Sequence, residues 1–463
     1  MSSSATDNPY TREIAGFVSG LTYDSIPDEV RQRIKLLMLD ALGCGIYAAN
    51  LEWSTILQRT LSTIDTTREC TVWGTSHRLS APHAALVNGT QVQGFELDDV
   101  HKVGVLHTGC LVLPPLFAIT EIRAGTSGRE FIAAAVAGYE IGPRVSICMG
   151  PEHIAQGWHS GATVGVYASA AAAARVLQLD ADKTVHALGI AGTQSCGLMA
   201  AQFGSMVKRM HAGRAAQSGL YAAQLAGGGF TGIVNVFESE YGGFCTTFSR
   251  SRDRFNLAEL TAGFGSVWQS MNVALKFYSC VGSTHSTLDA ISELRAQHAF
   301  AADDIASVVV HGSEATVNHV GWKYVPQGFT AAQLNLSYCV ATLLIDGEVF
   351  VDQFTEAKLT DPARMALAAK VSVVHDPAIT ARGPKFRQMV HVEIMVKDGT
   401  LLKRTREVSR AKETFAAESE VVKKFETLAS HVLPAAHVRE LRDTVLGLEK
   451  IDDAARLARL LIA

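Results

Sequence analysis

No Cys-x-x-Cys pair occurs in this sequence; its eight cysteines, Cys44, Cys70, Cys110, Cys148, Cys196, Cys245, Cys280 and Cys339, stand far apart. That spacing excludes a zinc ribbon and a motif-type iron–sulfur cluster, and in a chain of 463 residues it argues against a disulfide framework. Most of these thiols are expected to be small buried apolar side chains. An excess of one charge is also missing: 41 Lys+Arg against 45 Asp+Glu leave a net charge of −4. So small an imbalance gives no general attraction to nucleic acid or to an anionic membrane, and an anionic ligand must therefore meet local cations. The opening MSSSATDNPYT lacks the basic and apolar regions of a signal peptide. The apolar stretch nearest to membrane length, 164–179, is mostly alanine, carries Arg175 and falls short of about 20 strongly apolar residues. The expectation is a soluble cytoplasmic protein with neither a nucleic-acid nor a membrane partner.

What is present is apolar mass and helical periodicity. At 48% hydrophobic composition the chain can bury a large interior, and its length favours two domains. In SIPDEVRQRIKLLMLDALGCGIYAA, Ser25 and Pro27 mark an entry, Asp28 and Glu29 suit a helix dipole, and Val30, Ile34, Leu37, Met38 and Ala41 recur at helical spacing. Further helices are expected at 81–94, 111–124, 128–138, 163–179, 183–191 and 214–226, several rich in Ala and Gly, whose small side chains let helix axes approach closely. After about residue 265 the pattern changes. IASVVVHG (305–312) and AKVSVVHD (369–376) read as strands, and MVHVEIMVKDGTLLKRTREV as a hairpin turning at Asp398-Gly399, with helices at 286–296 and 331–345 between them. The fold class is mainly α with an inserted α+β domain: a helical domain from 1–265 and 413–463, and a smaller domain at 266–412.

Gly227-Gly-Gly-Phe-Thr-Gly232 matches G-x-G-x-x-G, but it follows a helix where a dinucleotide fingerprint must follow a strand, so it reads as a helix stop. Four other segments concentrate chemistry. ELDDVHKVGVLH packs Glu96, Asp98, Asp99, His101 and His107 into twelve residues; as a metal site it lacks any familiar ligand spacing, and acid/base chemistry and a solvated loop remain beside it. If 93–100 is helical, Glu96 and Asp99 share a face. GWHSGATVG places His159 before a helix, whose free N–H groups suit a carboxylate. MVKRMHAGR sets Lys208, Arg209, His211 and Arg214 just before another helix, either a solvated basic turn or an anion site. ALKFYSCVGSTHS puts Lys276 among apolar neighbours, where a buried cation needs an anionic partner that substrate could supply, and ends at His285.

Together with ELDDVHKVGVLHTGCLVLP, GWHSGATVGVYASAAAAARVL, MVKRMHAGRAAQSG, LKFYSCVGSTHSTLDA and LGLEKIDDAARLARLL, the chain resembles the MmgE/PrpD family over nearly its whole length. That family includes 2-methylcitrate dehydratase, cis-aconitate decarboxylase and iminodisuccinate epimerase. The resemblance implies a large helical domain with a smaller α+β lid, no metal or organic cofactor, a homodimer, and lyase chemistry on a small polycarboxylate. The decarboxylase group looks nearest. Its active-site positions, carried over, fall on Glu96, His107, His159, Lys208 and Lys276, with Asp99 beside them as a further catalytic candidate. Arg209, His211, His101, His285 and His319 are the substrate-binding candidates. Here the acidic position holds Glu where the mammalian decarboxylase pattern has Asp, and the interval to His107 is one residue longer. The counterpart of a lid tyrosine falls among His319, Trp322 and Tyr324. A carboxylate-binding protein without turnover is the reading of another class.

Overall fold

Pro27 ends a short turn, and Asp28 and Glu29 open α1 (Asp28–Tyr47), whose residues from Leu37 to Ile46 are all buried. The helices that follow are α2 (Ala81–Val92), α3 (Gly109–Ile122), α4 (Gly128–Met149), α5 (Gly165–Val176), α6 (Ala181–Gly192) and α7 (Val207–Gly227). This computed structural model describes residues 7–463. In the second half come α8 (Gly282–Gln297) and α9 (Leu336–Asp346), and at the end α10 (Glu418–Ala429) and α11 (Ala435–Leu446).

Helix α4 shows why small residues mislead a sequence reading. Ser127 caps it, accepting from the Glu130 amide (3.2 Å), while the Glu130 carboxylate accepts from the Ser127 amide (2.9 Å). The helix expected to stop at Gly138 runs on to Met149, through Gly142 and Pro143. Gly138 and Gly142 are contact points: a Cβ on Gly142 would lie 2.6 Å from the Ala168 Cβ, and one on Gly138 2.9 Å from the Ala168 carbonyl oxygen. Glycine here lets α4 and α5 touch backbone to backbone. By length and apolarity α4, and not the alanine-rich stretch at 164–179, is the helix that could cross a membrane, yet its apolar window is 94% buried inside the protein. The same device joins α2 to α7, where a Cβ on Gly213 would sit 2.0 Å from the Leu86 carbonyl oxygen.

The second half builds one four-stranded sheet from β1 (Ile305–Gly312), β2 (Val371–His375), β3 (Val390–Val396) and β4 (Leu401–Arg406), in the order β2-β1-β3-β4. β1 and β2 run parallel; β1–β3 and the β3–β4 hairpin are antiparallel, with Val308 opposite Ile394 and Val310 opposite Val392. These alternating residues are buried, as period-2 patterning requires. Two apolar cores result. One gathers residues from Ile14 to Leu275 and from Val421 to Leu461. The other runs from Cys280 to Leu402 and borrows Cys44, Trp53, Phe95, Leu97 and Leu428 from the helical part. The first core takes in Trp268, Val273 and Leu275, and Val273–Ala274 pairs with Val100–His101. The glycine run ends α7, with Gly229 in the left-handed region. All eight cysteines are free, and all but Cys196 are buried.

Candidate active site

Phe95 and Leu97 belong to the second core, so Glu96 between them lies where the two cores meet. The segment after α2 is not helical, contrary to the conditional reading of 93–100, and Glu96 adopts φ 56°. A non-glycine residue there costs about 1–2 kcal/mol. The turn presents the Glu96 carboxylate to α7. Helix α7 begins at Val207, seven residues before its expected start, so Lys208, Arg209 and His211 occupy its first turns and form no basic loop before it. Lys208 donates to Glu96 Oε1, Arg209 donates to the same oxygen (2.6 Å), and Lys276 Nζ reaches Glu96 Oε2 at 3.3 Å and its carbonyl oxygen at 3.2 Å. The anion that buried Lys276 requires is therefore Glu96. Burial by itself would raise the Glu96 pKa, but Lys208, Lys276, Arg209 and His107 together hold it well below the usual carboxylate range.

His107 approaches from the other side, its Nδ1 3.1 Å from Asp98 Oδ2. Burial opposes ionisation of Asp98, and His107 and then Lys276, 4.0 Å away, outweigh it and lower its pKa. His159 completes the group. Its backbone is fixed by the Gly197 carbonyl, which its amide meets at 3.1 Å, and by Ala162 and Thr163, whose amides bond its carbonyl. Its Nδ1 lies 3.0 Å from His211 Nδ1, a pairing that needs one protonated and one bare nitrogen. Burial, then the charges of Lys208, His211 and His107, push the His159 pKa well below its ordinary value, so the imidazole is neutral at neutral pH. It does not titrate near neutrality in the free protein, as an exposed histidine would. His319 comes from the second domain, 3.0 Å from Ser283 Oγ, and burial followed by the nearby charges of Lys208 and Arg387 brings its pKa down to about 4.

The remaining candidates lie elsewhere or act through others. Asp99 accepts from the Thr108 amide (2.8 Å), the Gly109 amide (3.1 Å) and the Tyr139 hydroxyl (2.8 Å), and so ties down the start of α3, just beyond His107. His101 accepts from the Gly104 amide at Nδ1 (2.9 Å) and donates to Gln269 from Nε2 (3.1 Å), and burial lowers its pKa to about 4; it is a satisfied core histidine. His285 spends Nε2 on the Cys280 carbonyl (3.0 Å) and packs on Tyr278, away from the cluster. Arg209 has no exposed surface and divides its guanidinium among Glu96, Thr330 (3.2 Å) and Gln333 (2.9 Å). It therefore joins the helical domain to the second domain. Tyr324 turns its hydroxyl to the Leu359 carbonyl (3.2 Å), which removes it as a lid tyrosine facing the cluster. Sequence reasoning missed two groups behind the site. Asp98 was weighed only as a metal ligand. Lys424 of α10, which donates to Asp40 and to the Leu97 carbonyl (2.7 Å), is legible in the sequence only as one more charge on a helix. Among the described residues no three His, Cys, Asp or Glu side chains converge to hold a metal ion.

Two imidazoles, two ammonium groups and two buried carboxylates at a domain junction make a site for moving a proton beside an anion. That fold and that constellation define a class. Family models for the MmgE/PrpD N-terminal domain and the MmgE/PrpD C-terminal domain match residues 12–256 and 278–450, and the chain belongs to this family as one of its lyases. It is similar to the cis-aconitate decarboxylase-like protein oryM of Aspergillus oryzae, at 34% identity over 99% of this chain and 98% of that protein. It is equally similar, at 34% identity over 97% and 95%, to a cis-aconitate decarboxylase of Aspergillus terreus. A mitochondrial 2-methylcitrate dehydratase of Yarrowia lipolytica is 22% identical over 87% of this chain and 81% of that protein.

Proposed function

We propose that the protein decarboxylates cis-aconitate to itaconate. The observation that carries this reading is the grouping of Lys208 and Lys276 on the Glu96 carboxylate with His107, beside Asp98, and His159 near enough for their charges to bear on one another. The likeness at 34% identity to fungal decarboxylases supports the choice among the family's reactions. In that reaction the carboxylate on the methylene carbon leaves as carbon dioxide. Its bonding electrons form the new terminal double bond, and the old double bond's electrons move to the carbon beside a remaining carboxylate. Charge grows on that carboxylate, where Lys208 and Lys276 stabilise it in a site shielded from water. A histidine, His159 or His107, then delivers a proton to carbon. Glu96 and Asp98 hold the lysines and His107 in position before the ligand arrives. The homodimer implied by the family resemblance belongs to the same proposal; light scattering at twice 49.6 kDa checks it.

Purified protein incubated with cis-aconitate should give itaconate and carbon dioxide by proton NMR. Release of 2-methylaconitate from 2-methylcitrate, with no action on cis-aconitate, would replace decarboxylation by dehydration. Binding without turnover of either would leave a carboxylate-binding protein.

The depressed His159 pKa gives a second expected outcome. In the free site three cations, Lys208, Arg209 and Lys276, surround two carboxylates. A trianionic ligand reverses that balance, so the His159 pKa rises on binding. Binding of tricarballylate, a saturated analogue, near pH 6.5 should then take up protons, up to about one per site. Calorimetry in two buffers of different ionisation enthalpy measures it; no uptake, or proton release, would place His159 outside the field of the ligand.

A further inference from the structure

Four amide side chains in this protein have no exposed surface: Gln91, Gln93, Gln333 and Asn335. Three of them make hydrogen bonds within the fold, although Gln91 Oε1 has no partner among the described residues. Gln91 donates to the Gly45 and Trp73 carbonyls, Gln333 accepts from Arg209 and donates to the Phe95 carbonyl, and Asn335 accepts from the Tyr338 amide and donates to the Trp322 carbonyl. Gln93 differs: neither its Oε1 nor its Nε2 has a hydrogen-bond partner among the described residues. A buried amide left unpaired in this way costs stability, and a fold has no use for it.

Its place explains it. Gln93 caps the C-terminal end of α2, its own amide turned back to the Gly89 carbonyl (3.3 Å), three residues before Glu96. Its side chain points toward Gly161, two residues after His159. A Cβ built on Gly161 would lie 3.3 Å from His159 Cε1, 3.6 Å from His159 Nδ1 and 3.8 Å from Gln93 Nε2. The imidazole and the amide thus flank one small space, which a glycine keeps open.

We infer that Gln93 is a substrate-binding residue whose amide hydrogen-bonds a carboxylate oxygen of the polycarboxylate, over Gly161 and beside His159. The inference rests on the polycarboxylate reading above. An uncharged donor suits this spot. It fixes the orientation of one carboxylate without adding to the positive field that Lys208, Arg209 and Lys276 already create, and without titrating.

Gln93→Met preserves shape and removes both polar atoms. A structural amide and a ligand-binding amide then part company. If Gln93 serves the ligand, the free variant keeps or raises its melting temperature, since an unsatisfied group has gone. Its KM for cis-aconitate rises about tenfold or more, with a smaller change in kcat, and the pH profile is unmoved. The melting-temperature rise given by saturating tricarballylate shrinks in parallel. Should Gln93→Met not fold, Gln93→Asn, which keeps the amide and withdraws it by one methylene, should show the same KM increase. Wild-type KM and wild-type ligand stabilisation in the folded variant overturn the assignment, as does a lowered melting temperature with unchanged KM. If wild-type protein itself neither binds tricarballylate nor consumes a tricarboxylate, the functional reading falls and this inference with it. A binding wild type with an unaffected variant removes only Gln93.

Discussion

Glu96→Gln should leave the free protein severely weakened, because Lys208, Arg209 and Lys276 would lose the one carboxylate that all three meet. Lys208, Arg209 and Lys276 are all buried, and Glu96 with them. Removing one member of a buried charge cluster while the others stay charged typically costs about 3–5 kcal/mol, and glutamine returns only a neutral acceptor. The melting temperature should fall by on the order of 5–10 °C. A tricarboxylate can supply the missing negative charge. Saturating tricarballylate should therefore stabilise Glu96→Gln by more than it stabilises the wild type, where the ligand has to share the lysines with Glu96. Differential scanning fluorimetry with and without the ligand measures both effects. Equal melting temperatures and equal ligand shifts for the two proteins would mean that Glu96 does not balance the cations. Lys208→Met would relieve part of the imbalance, so the Glu96→Gln, Lys208→Met pair should be less destabilised than the sum of the single changes.

This cluster also marks how far the sequence reading reaches. Strand β1 could be read from its β-branched run and β3 from the alternation of Val390, Val392, Ile394 and Val396, and the core buries alternate residues of both. Helix α4 was read too short and α7 too late, for one reason. Glycine weakens a helix in isolation, but Gly138, Gly142 and Gly213 sit at backbone contacts between helices, where a Cβ would collide. Propensity is a local quantity, and these contacts are not. At the site, residue type was legible and partnership was not. His101 and His107 lie six residues apart with the same chemistry, yet His101 is saturated by Gly104 and Gln269 while His107 meets Asp98. Lys276 was read as needing an anion, which was sound, and the anion proved to be a residue 180 positions earlier in the chain. The left-handed turn at Glu96 makes that meeting possible, and nothing in the identity of a glutamate announces such a turn.

His159→Ala should lower turnover by about 10²–10⁴-fold, the usual contribution of a positioned proton-transfer group. Ligand stabilisation should fall far less, because Lys208 and Lys276 remain. Loss of kcat with a largely preserved tricarballylate shift is therefore the expected signature, and unchanged turnover would remove His159 from the mechanism. The partner of His159 makes the prediction sharper. His211 touches it through the Nδ1–Nδ1 contact of 3.0 Å and adds to the depression of its pKa, after burial and Lys208. His211 is thus a positioning residue: it selects which nitrogen of His159 carries the proton and so what its other nitrogen offers to the ligand. Replacing His211 with alanine removes a neighbour whose protonation disfavours that of His159, so the His159 pKa moves up toward its ordinary value. The alkaline limb of the kcat/KM profile, along which the proton donor of the free enzyme loses its proton, should move to higher pH in His211→Ala and stay put in His101→Ala. A merely structural His211 would lower activity at every pH by the same factor and leave that limb where it was.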